Sequence, residues 1–220
     1  MLVDNHGREI NYLRLAVTDR CNLRCFYCMP ENGIKYVNRK DLLSYEEMHR
    51  LVRVMGDQGI SKVRITGGEP FVRKGMLEFL ESISTLDTIN DIHITTNGTF
   101  THDYIPKLEE IGIKSINLSL DSLDKQRFFN ITRRDEFDTV FKTLEMLIDS
   151  RIDVKINMVV MEGRNIEDIL PMIELTKDRN VSVRFIEEMP FNGTQGQGNA
   201  SFWPMKQIKD YIESKFEIEK

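Results

Sequence analysis

Lys62-Val63-Arg64-Ile65-Thr66-Gly67-Gly68-Glu69-Pro70 reads as a short β-strand that runs into a paired-glycine turn. Val, Ile and Thr carry the strand, and two glycines followed by a proline stop it. Amphipathic helices lie on both sides. Upstream, Met48, Leu51, Val52 and Met55 fall at i, i+3, i+4 and i+7, with Ser44 and Glu47 set as a capping box. Downstream, Met76, Phe79, Leu80 and Ile83 repeat that spacing. The same alternation continues along the chain. Further β-rich runs occupy residues 12–17, 91–96, 115–120, 154–160 and 181–186. Helical spacing returns at Phe137, Val140, Phe141 and Leu144, and at Ile166, Ile169, Leu170 and Ile173, where Pro171 places the start of the regular helix. Gly59 and Gly112 each follow a helix and precede a strand, as glycines just past a helix end do.

Strands alternating with helices predict an α/β fold with parallel strands joined by right-handed crossovers. The apolar run 156–161 suits a strand covered on both faces. The pattern admits a doubly wound sheet or a barrel, and six βα units are too few to close an eight-stranded one. In either case ligands belong at the C-terminal ends of the strands. The unusual residues lie there: 20–30, 67–70, Asn97-Gly98, Asp121-Ser122 and 187–190 each follow a strand. Residues 192–200 read as a flexible polar loop or linker, and a last helix is expected over about 204–215. The expected division is a barrel over 1–191, then a loop and terminal helix over 192–220.

With 220 residues the chain amounts to one large domain or two small ones. Apolar residues make up 40% and charged residues 30%, which excludes disorder as the ground state. Thirty Lys and Arg against 35 Asp and Glu give a net charge of −5, so any anion must be held by a local cation cluster. No signal-peptide pattern and no membrane-length apolar run are visible, and a cytoplasmic location is expected. Neither nucleic acid nor membrane is an expected partner.

The three cysteines, Cys21, Cys25 and Cys28, stand in one Cys-x3-Cys-x2-Cys cluster. Such a set is a poor disulfide framework and reads as a metal site. Structural zinc wants four protein ligands, and neither His6 nor His49 lies at finger-like spacing for the fourth. A [4Fe–4S] cluster held by three thiolates keeps one iron open to a substrate or cofactor. Tyr27 could shield such a cluster or stack on a ligand; a core-facing tyrosine is the plainer alternative. The Gly67-Gly68 pair lets backbone approach a ligand closely. Glu69 reads as a residue that fixes the turn or bonds the ligand, and Asp121 as a loop cap or a ribose partner. His93 in a strand and His102 at a helix start belong to no metal set, and Phe128-Phe129 is expected to pack in the core.

The cysteine motif, the Gly-Gly-Glu-Pro turn and the six βα units resemble the radical S-adenosylmethionine (SAM) enzymes. That resemblance implies a partial (β/α)6 TIM-like barrel. It also implies a cluster whose open iron is chelated by SAM, and a 5′-deoxyadenosyl radical formed by one-electron cleavage. A narrower resemblance, to the GTP 3′,8-cyclases of molybdenum cofactor biosynthesis, rests on residues 13–30, 63–70, 95–98, 117–121, 154–157 and 184–187. It implies a lyase that converts GTP to (8S)-3′,8-cyclo-7,8-dihydro-GTP. By the same resemblance Cys21, Cys25 and Cys28 bind the catalytic cluster. Tyr27, Gly67, Gly68, Glu69, Ser119 and Met189 belong to the SAM side. Arg14, Arg64, Thr95 and Lys155 contact GTP, with Lys62 and Arg184 as weaker candidates for the triphosphate. An electron donor is the further implied partner.

Read on their own, Arg14, Lys62, Arg64, Lys155 and Arg184 are cations in four strands of one sheet. A cation in a parallel strand is costly unless it is paired or faces a cavity or an anion. The alternatives are strand-end hydration or pairing with Asp121 or Glu187. The chain also departs from the cyclase pattern. Those enzymes carry a second three-cysteine motif for a C-terminal cluster at the guanine end of GTP, and here no cysteine follows Cys28. SAM and cluster binding are therefore expected to persist, with GTP cyclisation weak or lost in this chain alone and self-association, a homodimer included, favoured at the uncovered mouth. A radical SAM protein acting on another substrate, and a metal-stabilised nucleotide-binding module without turnover, are the competing readings.

Overall fold

A computed structural model describes residues 2–30, 33–189 and 203–217. An antiparallel hairpin, β1 (Leu2–Val3) with β2 (Glu9–Ile10), precedes a six-stranded sheet. The sheet holds β3 (Tyr12–Ala16), β4 (Lys62–Thr66), β5 (Asp91–Thr96), β6 (Ser115–Ser119), β7 (Asp153–Val160) and β8 (Val181–Glu187). Every pairing is parallel, and the spatial order is the chain order from β3 to β8. A doubly wound sheet reverses its strand order at a switch point. No reversal occurs here, so the winding is that of a barrel, and an open one, because β3 and β8 are the two edges of the described sheet.

The crossovers carry α1 (Tyr45–Asp57), α2 (Met76–Ser84), α3 (Ile105–Ile111), α4 (Lys125–Thr132), α5 (Phe137–Ile148) and α6 (Ile169–Glu174), and α7 (Met205–Glu213) follows β8. The Ser44–Glu47 capping box forms as the sequence predicts. Gly112 ends α3 at φ 85°, a backbone open to glycine at little cost. α6 starts at Ile169, two residues before the start that Pro171 was expected to set. Pro171 falls in the first turn, where the amide it lacks has no intrahelical partner. Residues 192–200 lie outside the described chain.

Alternate strand residues face the helices. Leu15, Val63, Ile65, Ile94, Ile116, Leu118, Val154 and Ile156 pack against Val52, Phe79, Leu80, Leu108, Val140 and Leu144 in one buried core. The other parity faces the lumen and is polar: Arg14, Arg64, His93 and Ser115 stand in register, as do Thr95, Asn117, Lys155 and Ser182. This corrects the expectation for 156–161. β7 alternates buried and half-buried residues, with Lys155, Asn157 and Val159 on the half-buried side. The lumen is a site rather than a second core. The Phe128-Phe129 expectation is corrected in half: Phe128 is 1% exposed, whereas Phe129 is 45% exposed, because neighbours on a helix point about 100° apart.

Candidate active site

The cysteine loop leaves β3 and is held at once by the turn after β4. Val17 N–H donates to Thr66 O at 2.9 Å, Gly68 N–H to Thr18 O at 2.7 Å and Glu69 N–H to Arg20 O at 2.8 Å. A Cβ on Gly67 would stand 2.4 Å from Thr18 O, and one on Gly68 would stand 2.2 Å from Arg20 O. Gly67 also has φ 150°. The glycines permit this backbone-to-backbone approach, which presses the turn against the residues just before Cys21.

Glu69 is fully buried. Its Oε1 accepts from Phe71 N–H at 3.1 Å and Thr96 Oγ1 at 2.8 Å, and its Oε2 accepts from Asn97 N–H at 2.7 Å. The carboxyl therefore ties the turn after β4 to the end of β5, the turn-fixing half of its sequence reading. Burial pushes its pKa up to about 7 against the pull of those three donors.

The far end of the loop is pinned elsewhere. Arg24 N–H and Phe26 N–H donate to Thr132 O and Ile131 O at the end of α4, at 2.9 and 3.1 Å. The Arg164 guanidinium lies over the Phe26 ring at 5.0 Å. Cys28 N–H and Met29 N–H both return to Cys25 O, so the last two cysteines share one tight turn. Tyr27 Oη donates to Asp121 Oδ2 at 2.8 Å, and Asp121 Oδ1 accepts from Val159 N–H at 2.8 Å. Asp121 thus joins the cysteine loop to β7, and burial lifts its carboxyl to about 6.

All three cysteines are reduced. Burial raises each thiol above its ordinary range, foremost Cys25, where the Asp121 charge adds to the effect. A metal must therefore displace protons to bind, as thiolate ligation requires. Among the described residues no three His, Cys, Asp or Glu converge as they would on a single ion. Three clustered thiols are the soft donors that an iron–sulfur cluster takes, whereas a structural zinc wants a fourth protein ligand. The donor set fits the cluster. His49 is engaged with Ser82 at 3.2 Å and supplies no fourth zinc ligand.

Below the loop the lumen is cationic. Arg14, Lys155 and Arg184 have no hydrogen-bond or ion-pair partner among the described residues. Arg64 Nε donates to Tyr12 Oη at 2.6 Å, and its Nη1 reaches Ile94 O and Thr95 Oγ1, both at 3.5 Å. Lys62 differs: it opens β4 at the end far from the cysteines and pairs with Asp91 at 4.0 Å. His93 reports the field. Burial lowers its pKa first, then Arg64, and Lys155 and Lys62 push the same way against Asp91. Asn117, 6% exposed, and Asn157 turn buried Oδ1 atoms into this region with no partner among the described residues.

Residues 15–176 match the model of the radical SAM superfamily. The chain belongs to that superfamily. Membership brings its two cofactors, a [4Fe–4S] cluster and SAM, and the Cys21-Cys25-Cys28 loop is the part of the chain whose chemistry suits the cluster. The chain is 43% identical, over 98% of its length, to the GTP 3′,8-cyclase of Syntrophomonas wolfei, covering 66% of that protein. It is 41% identical over 97% of its length to the mitochondrial GTP 3′,8-cyclase of Arabidopsis thaliana, covering 53% of it. The molybdenum cofactor biosynthesis protein moc-5 of Caenorhabditis elegans is 41% identical over 97% of this chain, which covers 35% of that protein. The chain thus spans from about a third to about two thirds of the length of these relatives. In fold it is similar to SuiB of Streptococcus suis, crystallised with SAM, at a TM-score of 0.70 and 20% identity over 93% of this chain and 47% of that one.

The structure brings Arg14, Arg64, Thr95 and Lys155 to one lumen, with Ser119 at the end of β6 and Arg184 on β8. Met189, just past β8, is 64% exposed. Asn97 was named in the sequence only as a strand end, and Asn117 and Asn157 only as parts of strands. Their signal, an amide at a lumen position, emerges once the register is known.

Proposed function

We propose that this chain forms the radical SAM barrel of a GTP 3′,8-cyclase of molybdenum cofactor biosynthesis. The observation that carries the reading is the set Arg14, Lys155 and Arg184, without a partner among the described residues and facing one lumen in a chain so similar to named GTP 3′,8-cyclases. Lys155 is half-buried and Arg14 and Arg184 are exposed; like-charged groups gathered without carboxylates repel one another, and a triphosphate supplies the missing charge, which Arg can bind through two parallel N–H bonds. Arg64 and Thr95, already in contact, add donors beside it. Lys62, paired at the far end, contributes through the field. The orphaned Asn117 and Asn157 oxygens suit the hydroxyls of a ribose. Tyr27, Gly67, Gly68, Ser119 and Met189 form the SAM side, with Glu69 holding the turn in place.

When bound, the cluster and SAM supply a carbon-centred radical able to abstract a hydrogen from ribose. Arg14, Arg64, Lys155 and Arg184 would hold the triphosphate, with the ribose left toward the cysteine loop at the C-terminal ends of the strands. The Tyr27–Asp121–Val159 bonds tie the cysteine loop to β7, at the same end of the sheet. An external electron donor follows from this chemistry. An oxygen-sensitive cluster suits a reducing compartment, and a cytoplasmic location is part of the proposal; no helix among the described residues is long and apolar enough to cross a membrane.

The test is anaerobic incubation of the reconstituted chain with SAM, a reductant and GTP, following 5′-deoxyadenosine and cyclised nucleotide separately. We expect GTP to stimulate 5′-deoxyadenosine release, with cyclised product in low yield because the ligands of a second cluster are not in this sequence. Release unaffected by GTP, but stimulated by another nucleotide, overturns the substrate. No release from a cluster-loaded protein overturns the enzymatic reading.

A further inference from the structure

The end of β5 carries a side chain aimed at the cluster ligand Cys21. Asn97 Nδ2 lies 3.6 Å from Cys21 Sγ and 3.0 Å from Asn22 Oδ1. Its Oδ1 accepts from Thr99 N–H at 3.0 Å and from Thr99 Oγ1 at 2.7 Å. Asn22 Nδ2 donates to Thr99 Oγ1 at 2.9 Å, which closes a ring of three side chains. The ring has one sense. Thr99 N–H is a backbone donor and cannot turn around, so the Asn97 oxygen must face it. The Asn97 NH2 group is then left facing the sulfur. Asn97 N–H donates in turn to the buried Glu69 carboxyl at 2.7 Å, which fixes the backbone from which the amide springs.

We propose that Asn97 is a positioning residue that raises the reduction potential of the cluster by donating an N–H bond to the Cys21 sulfur, with Thr99 setting the direction of the amide. Hydrogen bonds to the sulfurs are among the factors that set iron–sulfur potentials. The reduced cluster carries one more electron than the oxidised one, so a donor on a ligating sulfur favours the reduced form. The other end of the ligand set differs, because Cys28 is exposed to solvent. Asn97 gives Cys21 a fixed amide donor whose direction the ring of side chains sets.

The experiment uses the full chain, reconstituted anaerobically and titrated with EPR detection of the reduced cluster, without nucleotide. Asn97→Ala removes the donor. Asn97→Asp keeps the shape and both Thr99 bonds but places oxygen where the N–H was. In both variants we expect iron and sulfide to stay at the level of the unsubstituted protein and the midpoint to move negative. At the original midpoint the reduced-to-oxidised ratio should fall about tenfold, equivalent to about 59 mV for a one-electron couple. A purely structural residue would lower cluster content and leave the midpoint of the remaining clusters unmoved, and that result overturns the proposal. If neither variant holds a cluster, the unsubstituted protein answers. With 15N in asparagine side-chain amides, pulsed EPR of the reduced cluster should show a nitrogen coupling, and its absence overturns the assignment. None of these readouts depends on GTP being the substrate.

Discussion

Gly68 lies against Arg20 so closely that a Cβ on the glycine would meet the Arg20 carbonyl oxygen at 2.2 Å. The contact is between two backbones, each tied into the hydrogen-bonded turn, so neither can swing aside as a flexible side chain would. Gly68→Ala is expected to cost at least the 1–3 kcal/mol of an overpacked core and to displace the loop that presents Cys21. Gly112→Ala gives the contrast: nothing lies within 4 Å of its Cβ position, and the cost comes from φ 85° alone, about 1 kcal/mol. Thermal unfolding with iron analysis after reconstitution separates the two. Gly112→Ala should keep its cluster, and Gly68→Ala should lose much of it.

Glu69 makes stability depend on pH. Its buried carboxyl titrates near 7, against 4.5 for the free side chain. Below 4.5 both folded and unfolded chains hold the proton. Between 4.5 and about 7 the unfolded chain releases it and the folded chain keeps it, so this group lowers stability as pH rises through that window. Above the folded value the loss is complete, on the order of 3 kcal/mol. Glu69→Gln does not titrate. The difference between parent and variant unfolding free energies, measured by denaturant on the cluster-free chain, should slope across the window and flatten above it. A flat difference throughout would mean that the three donors hold the carboxyl ionised.

The strands were legible because their signals are local. β-branched runs and glycine stops lie within a few residues of each other, and the bounds of β4 and β5 match the sequence reading residue for residue. The hairpin β1–β2 was missed because two-residue strands have no period to detect. α4 was missed because its cap is a single side chain, Asp124 accepting from Arg127 N–H at 2.8 Å, ahead of a short and mostly polar stretch. The cysteine motif was legible for the same reason of locality, and its partners were not. Asn97 meets a cysteine 76 residues away, and Tyr27 meets Asp121 across 94 residues. Those contacts depend on how β5 and β6 are staggered against β3, which no single stretch encodes. The cations were legible as a set, but only the register separates Lys62, paired with Asp91, from Lys155, which faces the lumen without a partner among the described residues.

Lys155 can be tested through its neighbour. It is one of the cations that hold the His93 pKa below its ordinary value. Lys155→Met should let that pKa rise toward the free value, read from the His93 ring resonances by NMR titration of the cluster-free chain. The same substitution removes an unpaired cation from a half-buried site and should leave the melting temperature unchanged or higher. GTP binding should weaken at least tenfold and lose part of its salt dependence. An unchanged His93 titration would show that the two side chains do not share the lumen.

Asn117 sets stability against binding most directly. Its buried Oδ1 has no partner among the described residues, and an unsatisfied buried acceptor costs about 1–3 kcal/mol. Leucine has nearly the same shape and no acceptor, so Asn117→Leu should stabilise the ligand-free chain by roughly 1 kcal/mol or more. In the complex the sign reverses. If a ribose hydroxyl donates to that oxygen, the variant buries the hydroxyl against a methyl group, and affinity for GTP should fall about tenfold while affinity for a deoxy analogue lacking that hydroxyl changes little. Chemical denaturation without ligand, paired with calorimetric titration of GTP and its 2′- and 3′-deoxy forms, reads both halves. A variant that loses stability and binds all three nucleotides as before would show that the amide belongs to the packing of the barrel and has no part in the substrate site.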